Sequence, residues 1–108
     1  MSGTSLDAID VALVNFSNSQ APQLMLARNW SISSVLRVQI DNLCQPSGDE
    51  INRMGELDVQ IGELFAEAVL SALQETGISA AQVRAIGSHG QTIRHRPALG
   101  SPFTLQIA

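Results

Sequence analysis

Two runs of the sequence concentrate residues with chemical use. The first is Met1-Ser2-Gly3-Thr4-Ser5-Leu6-Asp7-Ala8-Ile9-Asp10. A phosphate chain lying on a backbone turn needs outward N–H groups, no Cβ in the way and short hydroxyl donors. Gly3, Thr4 and Ser5 supply all three. Asp7 and Asp10 would repel phosphate itself, but a carboxylate beside phosphate is a usual holder of hydrated Mg²⁺, which takes only one or two protein oxygens. A polar turn joining two strands accounts for the same residues, because Ser, Gly and Asp are ordinary turn formers.

The second run is Ile86-Gly87-Ser88-His89-Gly90-Gln91-Thr92-Ile93-Arg94-His95-Arg96-Pro97. His89 and Gln91 flank Gly90 at the end of an apolar segment, which aims polar side chains beyond a sheet edge. A neutral imidazole and a primary amide suit sugar hydroxyls and an acetamido group, and Gly90 lets the backbone come close. His89 bonded to a backbone carbonyl at a strand end is the alternative. No Cys or third His stands at ligand spacing from His89 and His95, which argues against a metal there. The Arg94 and Arg96 guanidinium forks suit a carboxylate. They fit equally a solvated pair on an exposed strand.

The elements that must position these runs follow from periodicity. Ile9 to Phe16 is mostly apolar, as a buried strand is. A turn over Ser17 to Pro22 leads to a second strand, Gln23 to Ser33, whose simplest course is an antiparallel return. Val35, Leu36, Ile40 and Leu43 predict a short helix ended by Gln45-Pro46. Ser47-Gly48-Asp49-Glu50 matches a capping box, with the Ser47 hydroxyl accepting from the N–H three residues on while Glu50 reaches back. Leu57, Ile61, Leu64, Phe65, Ala68, Ala72 and Leu73 then recur along one face of a long helix, and Gly77 supplies its stop. Ser79 to Gln82 predicts a brief helical turn, Val83 to Ser88 a strand, and Phe103 to Ala108 another. Trp30 and Phe65 belong to apolar patterns and are expected in the core. Glu50, Glu56, Asp58, Glu63 and Glu67 form a solvated helix face.

Composition bounds the class. The 108 residues are 44% hydrophobic and 15% charged, the balance of one small globular domain. No apolar run approaches the roughly 18 residues of a membrane span, and the start has neither the basic segment nor the apolar run of a signal peptide. The single cysteine, Cys44, cannot form an internal disulfide and reads as a small core hydrophobe. A net charge of −4 with six Lys and Arg argues against nucleic acid as a partner.

MSGTSLDAID, GSHGQTIRHRP and TLQIA, in that order, resemble the anhydro-N-acetylmuramic acid kinase family. The resemblance covers essentially the whole chain but only the N-terminal part of such a kinase, so 1–108 is expected to be a single partial domain, truncated at both ends, with strand residues belonging before Met1. It implies an α/β fold, the ribonuclease-H-like half-domain of the acetate and sugar kinase, heat-shock ATPase and actin superfold. It also implies an ATP-dependent enzyme that opens 1,6-anhydro-N-acetylmuramic acid with water and phosphorylates it to N-acetylmuramic acid 6-phosphate in cell-wall recycling. Carried across by position, Gly3, Thr4, Ser5, Leu6, Asp7, Ala8, Ile9 and Asp10 form the ATP-phosphate segment, with Asp7 and Asp10 partners of Mg²⁺ through water. His89, Gly90, Gln91 and Thr92 take the amino sugar. The family's general base is an aspartate of a later motif, so no catalytic residue is assigned here and the isolated segment is expected to be inactive. The implied setting is the cytoplasm, with a homodimer of the full-length parent allowed. Two positions depart from the family pattern: Ala8 and Ala108 stand where it has glycine. If position 8 needs a positive φ, Ala8 tightens the phosphate turn. The alternative function is a non-enzymatic nucleotide-binding module of the same superfold, against which the SHGQT segment speaks.

Overall fold

The computed structural model describes residues 6–17 and 21–108. Strand β1 (Ala8–Asn15) returns through β2 (Gln23–Ser31); helices α1 (Ser34–Cys44) and α2 (Glu50–Thr76) follow; a single 3-10 turn (Ala80–Gln82) precedes β3 (Gln91–Arg96) and β4 (Phe103–Ile107). The strands form two antiparallel pairs, β1 with β2 and β3 with β4. Each pair carries one register shift, at Leu13/Val14 and at Thr92/Arg94. Among the described residues no helix is long and apolar enough to cross a membrane.

The long helix is the spine. Its i, i+4 spacing brings Leu57 and Ile61 to one half of a buried face and Ala68 to the other. The first half packs with Ile40 and Leu43 of α1 and with Ile93 and Ile107 of the β3–β4 hairpin. The second packs with Ile9 and Ile32, flanked by Val11, Trp30 and Leu64. Phe65 and Leu36 touch both clusters, which joins the two sheets through one helix. Each fully buried Ile or Leu contributes roughly 1.5–3 kcal/mol of transfer free energy, so these clusters dominate the stabilising side.

Helix ends follow local chemistry. Ser33 caps α1 by accepting from the Leu36 N–H at 3.2 Å. Gly77, at φ +70°, closes α2, with its N–H and that of Ile78 donating to the Gln74 and Leu73 carbonyls. The start of α2 departs from expectation. Glu50 does accept from the Ser47 N–H at 3.1 Å, but the Ser47 hydroxyl donates to the Asn42 carbonyl and receives Arg53 instead of completing the capping box. Asp49, in a left-handed conformation at φ 55°, is the residue that precedes the first helical turn.

The strand expected over Val83 to Ser88 is not formed, and Gln91–Arg96 is a strand in its place. A strand exists through its ladder, not through its apolar content. Val83 to Ser88 runs past β1 with a groove between them, whereas residues from Gln91 onward find β4.

Candidate functional site

The first polar run enters the fold through β1. Gly3, Thr4 and Ser5, with Met1 and Ser2, lie outside the described residues, and with them the phosphate turn expected there. Leu6 has φ +51° and Asp7 forms a bend, after which Ala8, Ile9 and Asp10 pair with Ser31, Trp30 and Asn29. Alternation buries Ile9 in the core and places Asp10 on the opposite, exposed face. Ala8 sits in extended backbone and is not among the positive-φ residues, so the strand takes alanine there without strain.

Both carboxylates have protein partners. Asp7 accepts from Arg37 of α1 at 2.8 Å, and its carbonyl accepts from the Ile32 N–H at 3.2 Å, which fixes the approach to β1 from two directions. Asp10 accepts from the Asn29 amide across the β1–β2 ladder. Among the described residues no group of three or more His, Cys, Asp or Glu gathers as a metal cage. A hydrated Mg²⁺ requires only one or two carboxylates. Asp7, with its side chain 63% exposed, and Asp10, on the exposed strand face, keep that capacity.

The second run forms a tight loop entering β3. The Ser88 hydroxyl donates to the Ala108 carbonyl at 3.1 Å and accepts from the Gly90 N–H at 3.2 Å. Gly90 has φ +72°, and a Cβ there would stand 2.7 Å from the Ile107 carbonyl oxygen, so both conformation and space demand glycine. His89 is exposed, with its Nδ1 3.2 Å from the Gly90 carbonyl, the backbone contact weighed above as the alternative to a ligand role. Gln91 is only 8% exposed, and its amide donates to the Thr92 carbonyl at 3.0 Å. Thr92 is half-buried, and its carbonyl also faces the Cys44 thiol at 3.8 Å. His89 is therefore the accessible member of the four, and Gln91 and Thr92 shape the loop from inside.

Arg94 is not a solvated strand side chain, and the carboxylate it meets belongs to the protein itself. Its side chain is 14% exposed, and it donates to the Leu43 and Gln45 carbonyls and pairs with Glu50. The sheet's packing against α1 and α2 turns this alternate residue inward, where three acceptors at helix ends replace water. Arg96 donates to the His95 carbonyl at 3.1 Å, and His95 Nδ1 lies 2.8 Å from the Thr104 hydroxyl. Asp58, expected on the solvated face, accepts from the Ala108 N–H at 2.8 Å. Its signal was invisible locally because its partner is fifty positions away. Burial, with Asp41 adding and Arg94 opposing, pushes the Cys44 thiol above its ordinary range.

The end of the first run and the residues just before His89 come to one groove, which His89 to Thr92 do not line. This groove, of about 170 Å³, opens between β1 and the segment 83–88, floored by Phe65 and Ala72 of α2. Asp10 of the first run and Ser88 of the second both line it. Complete ligand clefts usually hold about 300–1,000 Å³, so this groove is smaller than a complete cleft.

A family model described as anhydro-N-acetylmuramic acid kinase matches residues 1–108. The chain is 53% identical over 107 residues to a protein of that name from Shewanella baltica (strain OS223), and 50% identical over 107 residues to one from Shewanella denitrificans. A third such kinase, from Shewanella halifaxensis, is 49% identical over 108 residues. In each case 99–100% of this chain is covered, and the chain spans about 29% of the length of the curated relatives it matches.

Proposed function

The chain belongs to the anhydro-N-acetylmuramic acid kinase family, and from that membership we propose that the whole protein is an ATP-dependent sugar kinase to which this segment contributes one wall of the active cleft. The reaction adds water at C1 of a 1,6-anhydro-N-acetylmuramic acid, releases O6 and places the ATP γ-phosphoryl group on it. In this reading the fold is the ribonuclease-H-like half-domain of the sugar kinase superfold, working in the cytoplasm on small molecules.

The observation that supports the reading is one groove lined by Asp10 of the first run on one side and Ser88 of the second on the other. Phosphoryl transfer is mostly positioning and charge neutralisation, so the nucleotide segment and the sugar loop must stand on one rigid frame. Here β1 packs on α2 through Ile9, and the β3–β4 hairpin packs on it through Ile93 and Ile107. The Gly3 to Asp10 segment takes the ATP phosphates. Asp7 and Asp10 would hold Mg²⁺ through its waters, and the ion supplies neutralisation of phosphate charge. His89, with Gly90, Gln91 and Thr92 behind it, faces the amino sugar. The base that activates water belongs to a part of the protein outside this chain.

Two titrations on the full-length protein test the assignment. His89→Ala should weaken calorimetric affinity for the anhydro sugar about tenfold, the cost of one unpaired polar group in a closed site, and leave a non-hydrolysable ATP analogue unaffected. Asp7→Asn and Asp10→Asn should lower Mg²⁺-dependent turnover by about one to two decades at saturating sugar. Loss of nucleotide affinity in His89→Ala, with sugar affinity intact, would reverse the division of labour between the runs.

A further inference from the structure

A chain of hydrogen bonds links the spine helix to the loop that carries His89. Asp58, on α2, accepts from the Ala108 N–H at 2.8 Å. The Ala108 carbonyl accepts from the Ser88 hydroxyl at 3.1 Å, and that same hydroxyl accepts from the Gly90 N–H at 3.2 Å. Gly90 separates His89 from Gln91. One backbone position in this relay is strained: Ala108 lies at φ +65°, which a non-glycine residue rarely adopts, whereas Gly90 takes φ +72° freely. Left-handed single residues persist when surrounding contacts over-determine them. Asp58 and Ser88 are those contacts, one at the Ala108 N–H and one at its carbonyl.

We propose that Asp58 and Ser88 are positioning residues for substrate binding: Asp58 anchors residue 108 to α2 through its N–H, and Ser88 ties the His89–Gln91 loop to the carbonyl of the same residue. The proposal rests on the reading that this loop faces the amino sugar. Its physical content is preorganisation. A loop held by backbone bonds to a rigid helix presents the imidazole without an ordering cost at each binding event. Asp58 supplies a charged acceptor, stronger than the water that would replace it. Both bonds to residue 108 are made by its peptide groups, so they are independent of the side chain there.

The test uses the full-length kinase carrying Asp58→Ala, Asp58→Asn, Ser88→Ala, Ser88→Thr, the double variant Asp58→Ala/Ser88→Ala, and His89→Ala as reference. Asp58→Ala and Ser88→Ala are each expected to raise KM for the anhydro sugar about tenfold, with KM for ATP unchanged. Asp58→Asn keeps an acceptor and Ser88→Thr keeps the hydroxyl, so each should return most of the loss. The double variant should be little worse than either single one, because both act through the same residue, Ala108. A KM for sugar unmoved in Asp58→Ala and Ser88→Ala, while His89→Ala raises it, overturns this inference and leaves the functional reading standing. Equal losses in sugar and ATP parameters, without rescue by Asn and Thr, also overturn it, since they mark a general structural role. If His89→Ala too leaves the sugar KM unchanged, the functional reading falls and takes the inference with it.

Discussion

Arg94 donates to the Leu43 and Gln45 carbonyls and pairs with Glu50, so one guanidinium closes the C-terminal end of α1 onto the first turn of α2. Carbonyls at a helix C-terminus have no intrahelical partner, and a cation there also meets the negative end of the dipole. Arg94→Ala strands these acceptors in a half-buried place and should cost about 2–4 kcal/mol, measured as a fall in the urea midpoint of the full-length protein. Arg94→Lys should return only part, because an ammonium cannot reach three acceptors as a planar fork does. Cys44 gives a chemical readout of the same corner. Burial raises its pKa, so the folded protein keeps the thiol protonated and its alkylation by iodoacetamide at about pH 8 should be well slower than that of a free thiol. The linkage has a definite sign. The contribution of the raised folded value is fully present below the unfolded thiol pKa and is lost as pH rises through the folded one.

At the scale of elements, two glycines separate conformation from space. Gly77 ends α2 at φ +70° and Gly90 opens β3 at φ +72°, nearly the same left-handed backbone. Nothing lies within 4 Å of a Cβ built on Gly77, while one built on Gly90 meets the Ile107 carbonyl oxygen at 2.7 Å. Gly77→Ala should therefore cost only the left-handed penalty, about 1–2 kcal/mol. Gly90→Ala adds the displacement of a paired strand and should cost about 2–5 kcal/mol. Denaturant midpoints of the two variants check the difference, and equal values would mean that the close approach to β4 relaxes without cost.

Across the whole molecule, α2 places buried side chains in both cores, and its Phe65 touches both. Truncating it removes contacts on two sides of the same helix, so Phe65→Ala should cost about 3 kcal/mol and weaken both sheets together. Circular dichroism melting and near-ultraviolet signal from Trp30 should move in one transition; a separate, earlier loss of the Trp30 signal would mean that the β1–β2 pair docks independently. The exposed Arg28–Glu75 pair also joins β2 to α2, at 2.6 Å. Both side chains are close to half exposed, and such pairs contribute about 0–1 kcal/mol, so burial under α2 and not this bridge holds the pair down.

What was legible in the residues alone was what depends on near neighbours. The apolar spacing from Leu57 to Leu73, the Gly77 stop, the short α1 before Pro46, the antiparallel return of β2 and the core places of Trp30 and Phe65 all follow from contacts within a turn or a hairpin. The two polar runs were legible too, as side-chain chemistry and as family pattern. Where each run's groups point was not. The Ser47 hydroxyl takes Arg53 in place of a helix N–H, Arg94 finds carbonyls at the end of α1, and Asp58 finds the Ala108 N–H. Val83 to Ser88 has strand composition yet no ladder, because pairing is decided by which backbone arrives beside it. Local periodicity sets which residues turn inward on each element. Only the packing of α2 against both sheets decides which distant groups meet, and so brings Asp10 and Ser88 to a single groove.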